Sequence, residues 1–363
     1  MNTHEFAELL TALRALATRD VVGGAALATL VHTKGPVFRR AGARMLVLAD
    51  GQIVRGLSAG CPEADIIERA REVIATGEAR LLRYDREHGY DSLLELGCGG
   101  EMEVLVEPVA DARACGFAEA IAKVLQTRRP ARLATVFSHD GRCLHLPQRL
   151  VFDQASVLDE LADRALADWL MTQLGSTAPA ARSELLSTAT RSGEYRVLLE
   201  TLFAPLRLLL IGVNTTAFAL ARLGLSLGWQ VEVLDHREHA AEPPLPPGVR
   251  LLRSDAAQLQ QRVAPDARTA VVVMTHNLER DLDYLRALRT QSLVYLGALG
   301  SRARAAKMQS ALGACATALH APAGLDIGSE TPEEIALAIA AEIQGSINGH
   351  HGGQLRESAG PIH

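Results

Sequence analysis

Aromatic residues are scarce: Phe, Trp and Tyr number 7, 2 and 5 in a chain of 363 residues. Too few and too scattered to build stacking platforms, they argue against single-stranded nucleic acid as a partner. Lys+Arg total 37 against 42 Asp+Glu, for a formal charge of -5, and no basic run breaks the balance. Broad electrostatic binding to nucleic acid is thereby excluded. Long apolar runs are missing as well: the strongest, Leu208 to Val213, has the length of a strand and not of the ~18 residues that a membrane-spanning helix requires. The opening MNTHEFAELLTALRAL carries Glu5 and Glu8 and no basic n-region followed by an apolar core, so a cytoplasmic address is expected, with no membrane partner. Cysteine is limited to Cys61, Cys98, Cys115, Cys143 and Cys315. An odd number without a CxxC pair implies neither a disulfide framework nor a structural zinc site.

A hydrophobic content of 48% and a charged content of 22% describe a globular chain long enough for about two domains. Phe6, Leu9, Leu10, Leu13 and Leu16 fall at helical spacing and predict an amphipathic opening helix. From Ala25 the pattern becomes strand-like in ATLVHT and ARMLVLAD, with a turn at Asp50-Gly51 before QIVRGL. A helix over ADIIERAREVIATG, strands at ARLLRYD and EMEVLVEPV, a helix over Phe117 to Gln126, a hairpin about Asp140-Gly141 and a helical stretch near Val157 to Leu174 complete a mixed α/β domain over residues 1–175. The Ser/Thr/Ala/Pro-rich segment 176–198 reads as a linker. Residues 199–347 alternate short apolar strands with amphipathic helices, the signature of a Rossmann-like, doubly wound parallel sheet. Its last helix starts at Thr331-Pro332-Glu333-Glu334, and residues 348–363 read as a flexible tail.

Several residues in this frame are suited to chemistry. Gly212 stands first in a GxGxxG-like turn in which Asn214 occupies the second glycine position and Ala217 the third, and Asp235 ends the next strand where a ribose-binding acid belongs. Nucleotide binding and a Rossmann domain kept for architecture both fit this pattern. His276 follows the strand AVVVMT, at the sheet edge where α/β folds place ligands. Cys61 directly precedes Pro62-Glu63-Ala64-Asp65, and a helix starting at Pro62 would put the thiol where the helix dipole favours thiolate. Cys98 lies in Gly97-Cys98-Gly99-Gly100, a turn allowing close backbone approach. A soft-ligand site and two small buried hydrophobes are the competing readings of these cysteines. Arg39, Arg40 and Arg44 cluster about Gly42, and guanidinium forks suit phosphate or a pterin edge as well as a solvated loop.

The sequence resembles the XdhC/CoxI family, accessory factors for xanthine dehydrogenase and related molybdenum hydroxylases. The resemblance rests on GARMLV (Gly42 to Val47), SAGCPEAD (Ser58 to Asp65) and LGCGG (Leu96 to Gly100), and further along on VLDHR, VMTHNLERD, YLGALGSR and PAGLDIGSETPEEIALAI. It implies a chaperone that transiently binds molybdenum cofactor in its molybdopterin form, protects it while a cysteine desulfurase installs the sulfido ligand, and delivers it to an apo molybdenum hydroxylase. A non-catalytic insertion factor, a homodimer, is thereby expected rather than a turnover enzyme. By the same resemblance Cys61 and Cys98 match the two motif cysteines and would meet the molybdenum centre, Glu63 matches the acid after the first, and Arg39, Arg40 and Arg44 would hold the pterin phosphate. Asn214 and Thr215 stand where the family commonly has glycine and histidine. Two other functions compete: an NAD(P)-dependent oxidoreductase built on Gly212 and Asp235, and a cofactor-free scaffold bridging desulfurase and apo-enzyme.

Overall fold

The run AALATLVHTK forms strand β1 (Ala25–Lys34), buried along its first seven positions. The computed structural model describes residues 3–18, 24–57, 62–85, 100–109, 112–153, 155–176, 183–237, 243–315 and 317–357. Contacts divide the chain into two units, Met1–Ala204 and Pro205–Ile362.

A strand so buried must be covered on both faces, and its period of two decides what goes where. Ala26, Ala28 and Leu30 pack with Ile66, Ala70 and Val73 of α2 (Pro62–Thr76). Val31 on the opposite side packs with Leu105, Phe137 and Leu198. Around β1 lie β2 (Arg44–Leu48), β3 (Ile53–Val54), β4 (Arg80–Tyr84) and β5 (Glu101–Val109) in an antiparallel sheet of order β3-β2-β1-β5-β4, preceded by α1 (Thr3–Thr18). The same series then recurs. After α3 (Ala112–Thr127) come β6 (Ala131–His139), β7 (Arg142–Asp153), β8 (Ala155–Asp159), α4 (Arg164–Ser176), β9 (Glu184–Thr190) and β10 (Gly193–Leu202), with sheet order β8-β7-β6-β10-β9.

Among the described residues the N-terminal unit is thus an internal duplication: helix, three strands, helix, two strands, twice. Register supports the equivalence position by position. Thr29 faces Arg44 and Leu105, and Thr135 faces Arg149 and Leu198; Leu27 faces Glu107, and Leu133 faces Glu200. Both central strands skip one residue against their long partner, at Val31 and at Phe137. Leu-Ala-Thr appears at 27–29 and again at 133–135. The two sheets meet through ion pairs that obey the same relation. Arg44 forks onto Glu200 at 2.9 and 2.5 Å, and Arg149 pairs with Glu107. Arg196 binds Glu103, its own equivalent in the other half, with one contact at 3.3 Å. A residue meeting its equivalent marks a two-fold axis, as in an isologous dimer interface.

The second sheet corrects the expected domain boundary. Composition makes 176–198 a linker, yet β9 and β10 form a hairpin at the edge of this sheet, and the contact boundary falls at Ala204. The expected helix over Val157 to Leu174 is a strand, β8, followed by the shorter α4.

The C-terminal unit is doubly wound. Strands β11 (Arg207–Ile211), β12 (Gln230–Asp235), β13 (Arg250–Arg253), β14 (Thr269–Val273), β15 (Tyr295–Ala298) and β16 (Leu319–His320) form a parallel sheet of order β13-β12-β11-β14-β15-β16. Helices α5 (Thr215–Ser226) and α9 (Pro332–Asn348) cover one face; α6 (Leu259–Val263), α7 (Leu278–Leu288) and α8 (Arg302–Leu312) cover the other. Asn214, Asn277, Ser301 and Thr331 each cap a helix by accepting a backbone N–H three residues on. Thr331 and Glu334 complete a capping box, so the predicted helix start stands. No described helix is long and apolar enough to cross a membrane.

Candidate functional site

Cys61 and Cys98 lie outside the described residues, but the chain on either side of each is placed. Pro62, the residue after Cys61, opens α2, and its first turn carries Glu63 and Asp65. Asp65 accepts a 2.7 Å hydrogen bond from the Tyr84 hydroxyl at the end of β4 and lies 3.4 Å from Arg69. The negative charge of that turn is therefore partly met. Two residues after Cys98 comes Gly100, whose backbone lies so close to the carbonyl of Pro36 that a Cβ would collide with it. The loop 35–43 between β1 and β2 thus touches the end of the second cysteine segment. It touches the start of the first too, because Arg39 donates to the Gly56 carbonyl at 3.2 Å. A side chain on Gly56 would meet the Glu63 carboxylate at 2.6 Å. One corner of the first sheet therefore gathers Arg39, Glu63, Asp65, Tyr84 and the roots of both cysteine segments.

The other predicted arginines separate. Arg40 is exposed on the same loop, beside Phe38, which is 58% exposed. Arg44 is a correction: its side chain is 1% exposed and bidentate to Glu200, so its charge is committed inside the protein and no phosphate reaches it.

Two cavities flank the end of β4. One, of about 450 Å³, is lined by Asp65, Leu81 to Tyr84, Gly141 and Cys143. The other, about 430 Å³, is lined among others by His32, Arg83, Glu103 and Arg196. Burial, together with the Glu107 charge, pushes the Cys143 thiol up to about 11, so this cysteine stays protonated near neutrality, as befits a packing residue. Burial also opposes ionisation of Glu103, but the Arg196 and Arg83 guanidiniums outweigh it and hold the carboxyl below its ordinary range. His32, Arg83 and Tyr84 were not anticipated; the available signal was a polar pair, Arg83-Tyr84, ending a strand directly before a glycine-rich connection.

In the C-terminal unit the sheet order reverses between β11 and β14, where a dinucleotide would bind. Gly212 stands there with φ +127, and a Cβ would lie 2.5 Å from the Met274 carbonyl. Packing against β14 accounts for this glycine. Asn214 turns its side chain inward, accepting from Ala217 N–H at 2.9 Å and donating to Met274 at 2.8 Å. Asp235 is 1% exposed and held on both oxygens by arginine: Arg237 at 3.0 and 3.1 Å and Arg253 at 3.0 Å. The acid expected to bind ribose hydroxyls is thus already paired, and the residues do not fit NAD(P). His276 is exposed with φ +63, an uncommon conformation for a non-glycine residue, and its carbonyl accepts from Arg304 at 3.3 Å. Buried Asp281 holds this turn through the Thr275 hydroxyl at 2.6 Å and Arg304 at 2.6 Å.

Comparison with known families agrees with both units. A model described as XdhC and CoxI family matches residues 22–85, and one described as XdhC Rossmann domain matches 208–343, together more than half of the chain. The chain belongs to the XdhC and CoxI family. Among relatives of this family member, a probable xanthine dehydrogenase subunit of Bacillus subtilis (strain 168) is 26% identical over 88% of the chain and 92% of the relative. "Molybdenum cofactor insertion chaperone PaoD" of Escherichia coli (strain K12) is 28% identical over 88% of the chain and 82% of the relative. A crystal structure described as that of a xanthine dehydrogenase from Bacillus halodurans superposes with TM-score 0.78 at 22% identity, covering 99% of this chain and 98% of that one, and establishes likeness of fold.

Proposed function

We propose that this XdhC-type chain binds molybdenum cofactor as cargo, shields it while a cysteine desulfurase sulfurates it, and passes it to a molybdenum hydroxylase of the xanthine dehydrogenase type. Cys61 and Cys98 are the proposed ligands, with Glu63, Arg39 and Arg40 beside them. The name of the PaoD relative supports the role. The observation that carries the site is where the duplicated halves differ. Residues 85–100, sixteen in all, join β4 to β5, whereas Arg191 and Ser192 alone join β9 to β10. Residues 55–61 precede α2, against 160–163 before α4. Both extensions carry one of the motif cysteines, and long connections grafted on a rigid scaffold are where function concentrates.

The second half also indicates that such connections meet. There Asp163, before α4, accepts from the Thr190 hydroxyl at 2.7 Å, so the segment before the helix touches the turn after β9. The described first-half counterpart is the Asp65–Tyr84 bond, which joins the helix following Cys61 to the strand preceding the Cys98 connection and supports the reading that both cysteines serve one site. Thiolates suit a soft molybdenum-sulfur centre, and in sequence Cys61 directly precedes Pro62, which opens α2, where a helix start favours negative charge. A site made of few side chains at an edge suits cargo that must be released.

Purification from cells that make the cofactor, followed by molybdenum and pterin analysis, tests the reading. Wild type should carry both, and Cys61→Ala and Cys98→Ala should each lower them together. An empty wild-type protein that still captures desulfurase and hydroxylase would instead make it a scaffold. The proposal includes a homodimer, which sedimentation equilibrium checks.

A further inference from the structure

Departure from the internal symmetry extends beyond the two connections, to the 430 Å³ cavity beside β4 and β5. Pairing register equates Arg83, opposite Glu103, with Ser187, opposite Arg196. It likewise equates His32, opposite Glu103, with Ser138, opposite Arg196. The first half therefore has a guanidinium and an imidazole where the second has two hydroxymethyl groups. A scaffold role shared by both halves does not call for that difference.

Geometry leaves Arg83 available. Its Nε donates to Glu103 at 3.0 Å, and its terminal nitrogens have no partner among the described residues. Arg196 is satisfied by Glu103 and lies over the Phe137 ring at 5.2 Å. Arg83, Arg196 and Glu103 together leave one positive charge, with His32 adjoining. Of the other acids on the wall, Glu101 is taken by Lys34 at 3.1 and 3.2 Å, and Asp85 contributes a further carboxylate. The volume falls in the range of small-ligand pockets, roughly 300–1,000 Å³. Glu101 on its wall is three residues from Cys98, a reach of at most ~11 Å.

We propose that this cavity seats the phosphate-bearing end of the pterin cargo, with the terminal nitrogens of Arg83 as the principal phosphate donors and His32 beside them. The proposal rests on the cargo reading above and adds residues that neither of the two cysteine motifs contains. Arg83 lies on an edge strand with its side chain 49% exposed, so replacing it leaves the sheets intact.

The test is pterin and molybdenum retained through gel filtration by full-length protein purified from cofactor-producing cells. Arg83→Gln should retain roughly ten- to a hundredfold less than wild type, the loss of a charge-assisted bond. Arg83→Lys should recover much of it, and Ser187→Ala, at the equivalent position, should change nothing. Should Arg83→Gln not fold, His32→Gln reads the same cavity and should lower retention several-fold. Wild type loaded and both cavity variants equally loaded would overturn the phosphate seat while leaving the cargo reading intact; wild type empty would overturn both.

Discussion

Removing one member of the Arg44–Glu200 pair is the sharpest test of the duplicated architecture. Both side chains are 1% exposed, and the guanidinium supplies two hydrogen bonds to the carboxylate. Arg44→Met strands an ionised glutamate between two sheets, a change that costs about 3–5 kcal/mol in buried pairs. Arg149→Met strands Glu107 at the equivalent place, where side chains are 8% and 7% exposed, so its loss should be similar or slightly smaller. Replacing both partners, as in Arg44→Met/Glu200→Leu, removes the desolvation cost with the charge and should restore stability to wild type or above. Each unit holds one tryptophan, Trp169 and Trp229. In a Trp229→Phe background, urea denaturation followed by Trp169 emission therefore reports on the N-terminal unit alone. The double variant should also retain cargo, because Arg44 has no access to ligand. A harmless Arg44→Met, or a folded double variant stripped of pterin, would refute the reasoning.

Three further outcomes are expected. The Asp163 carboxyl, held to about 2 chiefly by the Thr190 hydroxyl, lies below the 3.8 of a free side chain. Its contribution is full above about pH 4 and vanishes as pH falls through 2. The stability gap between wild type and Asp163→Ala in denaturation curves should therefore be present at pH 5 and closed near pH 2. Calorimetry with millimolar NAD(H) or NADP(H) should give no binding heat, since Asp235 is already held by Arg237 and Arg253. Thr331→Ala, which breaks the capping box of α9, should cost about 1 kcal/mol in thermal unfolding.

Much of the C-terminal unit was legible in the sequence because its strands are short apolar runs and four of its described helices begin at Asn, Ser or Thr caps, signals that are local. The duplication was not legible. Short matches such as Leu-Ala-Thr are too brief to announce it, other equivalent positions carry unlike residues, His32 against Ser138 and Arg83 against Ser187, and pairing register is what establishes the match. Strand β9, ELLSTAT, lies at a sheet edge with no fully buried position, so its composition imitates a linker. Arg44 resembled a surface phosphate ligand because the partner that neutralises it stands 156 residues away. The proposed site rests on residue type alone, two cysteines set among glycines in the sequence, and both lie outside the described residues. The cavity of Arg83 and His32 depends on β1, β4 and β5 meeting, and no local pattern announces it.

Convergence of the two cysteine segments is the central claim, and thiol cross-linking measures it directly. In full-length protein with Cys115, Cys143 and Cys315 replaced by Ala, a short bifunctional maleimide followed by peptide mapping should join Cys61 to Cys98 within one chain, and bound cofactor should block the reaction. Each thiol modified singly, with no linked peptide at any reagent ratio, would contradict the account.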